Sequence, residues 1–333
     1  MVSVIVPVYN EEKNISGCLK SLLAQNYPRE KYDIVVVNDG STDGTENIVR
    51  GLTQEYPALF LLTKEKGGKG SAQNLGLKHV RGDIVLVTDA DTIVPSDWVS
   101  RIADELCQAD IVTGACYIHQ SSETSHLAKM QNSVYLLQYK YGGLRGMRGS
   151  GNNIGFKKAV ADSLGGFRED IKSVTIDFIQ RARSQGYTTH FNPDIAVLTR
   201  ATLSIMEFIK QKLRWREYPL SIFRGRVKLT MSGLVGVCYT HGLSLALFAL
   251  TILAIVLLDF RYFLAPFILI LLIDIMLYTK PIYRMWRNRL DRNYVLYFVL
   301  YSFLIMLVRL ILVPYLAYCL VTGIKPTFEA KRA

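Results

Sequence analysis

Five strand-like runs, at 2–9, 33–38, 58–63, 83–88 and about 110–117, alternate with helix-like segments through the first third of this chain. No other feature constrains the fold as much. The alternation argues an α/β layer, a mostly parallel sheet covered by helices on both faces. The first helix is expected over 12–25, with Asn10 as its N-cap. In such sheets ligands bind beyond the carboxyl ends of the strands. Polar residues collect there: Tyr9, Asn10 and Glu11 after the first strand, Asn38 and Asp39 after the second, Asp89 and Asp91 after the fourth. No GxGxxG follows the first strand, which disfavours a dinucleotide.

Asp89 and Asp91 end the run "DIVLVTDADT" one alanine apart. Residues two apart in extended chain point the same way, so two like charges share one side and call for a cationic partner. Hard oxygen ligands on a turn suit Mg²⁺ or Mn²⁺ shared with a diphosphate. A solvated strand-end turn would explain a single aspartate but not a pair facing other polar strand tips. "KGGKGSAQN" at 66–74 is a glycine-rich entry to a helix, with Lys66 and Lys69 placed to meet an anion. It lacks the Walker spacing and is a weak signal alone.

Half of the 333 residues are hydrophobic, but they are unevenly placed. Residues 1–200 read as a soluble domain, 201–232 as an interfacial amphipathic segment, and 233–322 as a membrane region. Within the last, apolar runs at 234–258, 262–279 and 294–322 are each long enough for a crossing of about 20 residues, which gives about three transmembrane helices. The net charge of +11 concentrates before the first run and in the loop 280–293, around Lys280, Arg284, Arg287, Arg289 and Arg292. By the positive-inside rule both segments face the cytoplasm. The expectation is a multi-pass protein of the cell membrane with a cytoplasmic catalytic domain. Basic residues at membrane borders meet anionic head groups, so a nucleic-acid partner is not expected. Arg309 in the last run lies roughly 14 Å in depth from Asp274, by helical rise, and so is expected to face a polar cavity, a saccharide or a lipid phosphate. "VSVIVPVYN" shows no signal-peptide pattern, and five scattered cysteines suit a reducing compartment.

"VPVYNEE", "VVNDGSTDGT", "GKGSAQN", "TDADT" and "QKLRW" stand in an order and at a spacing that resembles the family-2 inverting glycosyltransferases. More narrowly, they resemble the membrane-integrated branch of cellulose, chitin and hyaluronan synthases. The resemblance covers residues 2 to about 220 and implies a GT-A Rossmann-like fold. It implies a nucleotide-sugar site, most simply for a UDP-sugar, made by Pro7, Tyr9, Glu11, Asp39, Lys69 and Asp89, with Asp91 and Asp89 at the metal. Arg214 would meet the leaving phosphate. Gln211, Trp215, Asn152 and Asn153 would hold the acceptor.

One departure concerns the base. The resemblance aligns the usual catalytic aspartate with Thr175 and a second one with Asp177. Threonine is no general base near neutral pH, which leaves Asp177, Asp170 or Glu169, or an acceptor that needs none. Three readings stand: transfer to a saccharide, with processive polymer synthesis among its forms; transfer to a polyprenyl phosphate, already an anion; and a non-catalytic membrane sugar-nucleotide sensor. QxxRW favours the first reading and the vacant base position the second. The intact Asp89 and Asp91 disfavour the third.

Overall fold

The computed structural model describes residues 1–119, 125–142, 150–171, 173–202, 204–211, 272 and 278–305. They divide into two compact units, one formed by 1–119 with 150–201, the other by 125–142 with 202–305.

The first unit is built on an eight-stranded sheet. Its strands are β1 (Val2–Val8), β2 (Tyr32–Asn38), β3 (Leu59–Thr63), β4 (Ile84–Val87), β5 (Thr92–Ile93), β6 (Ile111–Ile118), β7 (Ile154–Lys157) and β8 (Thr189–Thr199). They lie in the order β3-β2-β1-β4-β7-β6-β8-β5. The β3-β2-β1-β4 half is parallel, as the strand–helix alternation implies. In the other half β7 runs antiparallel to both β4 and β6, while β6 and β8 are parallel. β1 and β2 are buried along almost their whole length, which is why they read as continuous apolar runs and not as an alternation.

Helices α1 (Ile15–Leu23), α2 (Thr45–Glu55), α3 (Lys69–His79), α4 (Trp98–Glu105), α6 (Lys158–Leu164) and α7 (Val174–Ser184) belong to this unit, and α5 (His126–Tyr135) belongs to the other. α1 buries Ile15, Cys18, Leu19, Leu22 and Leu23, one apolar stripe at helical spacing. It starts later than the sequence implies. Asn10 has a left-handed φ of 53° and bonds across to Thr42, so Asn14 takes the N-cap position. The register Val87↔Ile154 brings Asn152 and Asn153, just ahead of β7, beside the carboxyl end of β4. α7 is anchored by Phe178, whose ring lies 4.9 Å from Phe156 and 4.6 Å from Phe167.

In the second unit, helix Thr279–Arg287 and a helical stretch over 294–305 are described. Among the described residues no helix is long and apolar enough to cross a membrane. The run 234–258, nearly all of 262–279, the part of 294–322 beyond 305, Asp274 and Arg309 lie outside them.

Candidate active site

The strand tips are tied together before any ligand is considered. Asn10 N–H donates to Ser41 Oγ at 3.0 Å and Glu11 N–H to Thr45 Oγ1 at 2.8 Å, joining the turn after β1 to the loop after β2 and to the start of α2. Pro7 is partly exposed inside β1, and Glu11 is buried, its carboxylate accepting from Asn14 Nδ2 at 2.6 Å. The Tyr9 ring carries Lys66 Nζ 4.5 Å from its centroid, and the same nitrogen donates to the Tyr9 hydroxyl at 3.2 Å. Such a cation held on an aromatic face is worth about 0.5–1 kcal/mol when exposed.

Asp39 is buried and accepts from Lys64 Nζ at 2.9 Å, Gly67 N–H at 2.9 Å and Gly68 N–H at 2.8 Å. The two amides precede α3 and have no helical acceptor of their own, so the carboxylate supplies it. In this state Asp39 holds the glycine-rich loop with both oxygens, and a nucleobase or ribose would compete with those bonds. Lys64 was not legible as its partner.

α3 then places Lys69 on the DxD turn, with Nζ donating to Asp89 Oδ1 at 2.5 Å. Asp91 is only partly exposed, and its carboxyl is pushed up to about 6, by burial first and then by the Asp89 carboxylate, with Lys69 and Thr92 pulling the other way. The turn is held from one side by Asn152. Its Nδ2 donates to Thr92 Oγ1 at 2.9 Å, its Oδ1 accepts from Ser150, and its carbonyl accepts from Thr88 Oγ1 at 2.9 Å. From another side Cys18 Sγ donates to the Asp89 carbonyl at 3.5 Å. Burial pushes the Cys116 thiol up to about 12 and raises Cys18 as well, so both are neutral packing groups near pH 7.

This donor set fits a divalent cation. Two carboxylates share one turn, and the Lys69 ammonium already stands as a cation on one of them. Among the described residues no group of three or more His, Cys, Asp or Glu could hold a metal. The protein therefore offers Asp89 and Asp91, and ligand phosphate or water would complete a hard-oxygen shell.

The base candidates come out differently from the sequence expectation. Asp177 lies in the first turn of α7 with its side chain 2% exposed. It accepts from Arg181 Nε at 2.7 Å, with Arg168 Nη1 at 4.0 Å. Shut behind these guanidinium groups and the phenylalanine cluster, it has no open face for an acceptor hydroxyl. Asp177, expected as the leading base, is in this structure a buried carboxylate engaged by Arg181. Asp170 is more exposed and bonded by Arg168 through Nε at 3.1 Å and Nη2 at 3.0 Å. Glu169 accepts from Asn74 Nδ2 at 2.8 Å. Thr175 is buried, its hydroxyl 3.4 Å from the Gly151 carbonyl. The 168–170 turn presses on α3: a Cβ on Gly70 would fall 2.4 Å from the Arg168 carbonyl oxygen. Arg181 was identifiable in principle, four residues after Asp177 on a helix.

Asn153, expected at the acceptor, is engaged within the fold in this structure. It is fully buried, accepting from Trp98 Nε1 at 2.9 Å and donating to the carbonyls of Ala115 and Ile195 at 2.8 Å each. Its amide is spent on joining α4, β6 and β8, so it has no surface for an acceptor. Asn152 likewise acts on the DxD turn in this structure. Gln211 is the last described residue of a helical stretch from 205 in the second unit, while Arg214 and Trp215 lie outside the described residues.

Residues 3–165 match the family model described as glycosyl transferase family 2. Glycosyltransferase AglE of Haloferax volcanii is 30% identical over 199 residues, 58% of this chain and 65% of that protein. A beta-monoglucosyldiacylglycerol synthase of Nostoc sp. is 29% identical over 231 residues, 65% of this chain and 48% of that protein. The chain thus spans less than two thirds of the length of either relative. A solved mannosyltransferase, PcManGT from Pyrobaculum calidifontis in complex with GDP-Man and Mn²⁺, superimposes with a TM-score of 0.61 at 22% identity, covering 93% of this chain and 86% of that one. That likeness establishes the fold, the α/β sheet with helices of the GT-A class.

Proposed function

We propose that this chain, whose residues 3–165 carry a glycosyl transferase family 2 domain, takes a nucleotide-sugar and passes its sugar to a membrane-borne acceptor with the help of a divalent cation. One observation carries the donor half. Lys69, Asp89 and Asp91 converge at the carboxyl end of β4, where α3 begins. A diphosphate arriving there meets the Lys69 ammonium and the positive end of α3. Mg²⁺ or Mn²⁺ bound by Asp91 and Asp89 would supply Lewis-acid stabilisation of the charge that grows on the leaving oxygen. Lys69 leaves Asp89 for the diphosphate and neutralises the same charge from the protein side. Tyr9, with Lys66 on its face, borders the position where a base and ribose would lie. PcManGT binds GDP-Man, so guanine as well as uracil donors belong in a screen.

The acceptor half follows from the acids. Asp177 is closed off by Arg181, Asp170 is held by Arg168, and the usual base position holds Thr175. A polyprenyl phosphate arrives as an anion and needs no side-chain base. One of its phosphate oxygens attacks C1 of the sugar, the C1–O bond to the diphosphate breaks, and a nucleoside diphosphate leaves with inversion at C1. Transfer to a saccharide hydroxyl is the second reading, favoured by "QKLRW".

A seat on the cytoplasmic face of the cell membrane suits either acceptor. Along helix Thr279–Arg287 and just beyond it, Tyr283, Trp286 and Leu290 are exposed, the last by 85%, while Met285 and Pro281 are buried. Lys280, Arg284, Arg287, Arg289 and Arg292 accompany them. The acid among them, Asp291, is buried and bonded by Lys140 at 2.6 Å and by the Tyr141 hydroxyl. Exposed aromatic residues among clustered cations are the pattern of a surface that meets anionic head groups. A multi-pass arrangement with transmembrane helices from 233–322 completes this reading.

The deciding experiment supplies membranes holding the chain with radiolabelled UDP- and GDP-sugars plus Mn²⁺. Label extracted into organic solvent and released by mild acid supports the lipid-phosphate acceptor. Label retained as polymer selects the saccharide reading. No release of nucleotide from any donor would remove catalysis and leave a sensor.

A further inference from the structure

Gln73 is wholly buried, and neither atom of its side-chain amide has a hydrogen-bond partner. Burying a donor and an acceptor unpaired is unfavourable, so an amide at this position calls for a partner. Its placement identifies what the amide is for. Lys69, Gln73 and Gly76 lie on one face of α3, four and three residues apart. Gly76 sits against Ile5, where an added Cβ would fall 2.7 Å from Ile5 Cγ2. Lys69, at the other end of this face, reaches Asp89. Ile5 pairs with Val87, and the Thr88 amide still donates to the Ile5 carbonyl at 3.2 Å, so Asp89 follows two residues beyond Val87. α3 runs antiparallel to these strands. One helical step of three residues, about 4.5 Å, carries Gln73 from above Ile5 towards the strand ends. Two strand residues, about 7 Å, carry the chain from Val87 to Asp89. The amide therefore lies on the face of α3 that carries Lys69, one turn behind it and on the side of the strand ends.

We infer that Gln73 is a positioning residue of the donor site, whose amide nitrogen donates to the Asp89 carboxylate when a nucleoside diphosphate draws Lys69 away. The inference rests on the donor-site reading above. In this structure Lys69 meets Asp89 and the Gln73 amide has no partner. In the loaded state Asp89 loses that ammonium, and a fixed donor on the same helix keeps the carboxylate aimed at the cation. The unpaired amide is thus a bond held in reserve for the loaded site.

The test compares wild type with Gln73→Met, of similar size and without polar atoms, and with Gln73→Glu, which keeps the shape and loses the donor. The full chain in nanodiscs is melted without ligand, and binding of Mn²⁺ with UDP or GDP is followed by calorimetry and by Mn²⁺ electron paramagnetic resonance. Gln73→Met should melt no lower than wild type, yet bind Mn²⁺–nucleotide roughly ten- to a hundredfold more weakly, the usual range for a lost hydrogen bond to a charged group. Gln73→Glu should lose at least as much. Wild-type affinity in Gln73→Met overturns the inference, and so does a lower melting temperature with unchanged affinity, which would make the amide a structural bond. If wild type itself binds neither nucleotide with Mn²⁺, the donor-site reading fails first and the inference falls with it.

Discussion

Arg181 spends its whole guanidinium on one job: Nε donates to Asp177 at 2.7 Å, Nη1 to the Leu164 carbonyl at 2.9 Å and Nη2 to the Gly166 carbonyl at 2.7 Å. Asp177 is therefore the charge that lets Arg181 clamp the 164–166 turn onto α7. Breaking a buried pair from one side leaves an uncompensated charge and costs about 3–5 kcal/mol, less here because Arg181 is a quarter exposed. Asp177→Asn should lower stability by about 2–3 kcal/mol while transfer per folded molecule stays within a few-fold of wild type. Chemical denaturation alongside activity normalised to folded protein checks this. Normal stability with a 10²- to 10⁴-fold loss of transfer would restore Asp177 as the base.

Asp39 and the glycine-rich loop form a second pair of dependants. Asparagine at position 39 would set an NH₂ group against one of the two amides, or against Lys64, and would drop the charge that Lys64 meets. The expected cost is about 1–3 kcal/mol locally, because a buried donor is left unmade. In Asp39→Asn the amides of Gly67 and Gly68 should exchange hydrogen at least tenfold faster, and UDP or GDP affinity should fall about tenfold with the loop. Unchanged exchange at Gly67 and Gly68 would show that the loop does not depend on the carboxylate.

What the sequence made legible follows the range of the interactions concerned. The parallel half of the sheet announces itself because buried strands are continuous apolar runs, and the strand tips announce themselves because polar residues stand there with no apolar reason to. Lys69 against Asp89 was approachable as a cation near an anion. Asn153 was not: nothing local tells that its amide will meet Trp98, 55 residues away, and two carbonyls on separate strands. The surroundings of Asp177 were not legible for a similar reason. A motif position gives the identity of an acid, but burial against Phe178 and Arg181 depends on the packing of β7, α6 and α7, which no motif encodes. The antiparallel insertion of β7 belongs to the same class, since register between distant strands is set by tertiary packing.

The exposed Trp286 gives a direct check of the membrane seat. A fluorophore on Trp286→Cys should shift to the blue and resist aqueous quenchers when the chain is in nanodiscs containing about a third anionic lipid. The protection should weaken in neutral lipid, which lacks the anionic charge, and at high salt, because the screening length falls from about 8–10 Å near 0.1–0.15 M to about 3 Å at 1 M. Replacing Arg284 and Arg287 by Gln should remove the dependence on anionic lipid and leave the apolar contact of Tyr283 and Leu290. A fluorophore fully open to quencher in every lipid would exclude this face from the membrane.

Asp91 gives the pH dependence, and its two consequences run in opposite directions. Its carboxyl sits at about 6 in the folded chain, above the ordinary 3.8, because burial and then Asp89 disfavour the charge. The folded state thus binds this proton more tightly than the unfolded state does. Above about pH 6 the fold bears the whole cost of keeping Asp91 ionised beside Asp89. As pH falls through 6 towards 3.8 the folded carboxyl takes up a proton and that cost is relieved, and below 3.8 both states are protonated and nothing further changes. At this site, then, the ligand-free protein should gain stability between pH 7 and 5, and Asp91→Asn should flatten that part of the curve. Binding of the cation needs the ionised form, so Mn²⁺ affinity should fall about tenfold for each pH unit below about 6. Mn²⁺ titrations at pH 7.5, 6 and 5, paired with melting curves of wild type and Asp91→Asn, measure both slopes. Affinity that is level down to pH 5 would mean that Asp91 is already ionised there or does not hold the metal, and a wild-type melting curve parallel to that of Asp91→Asn would separate the first case from the second.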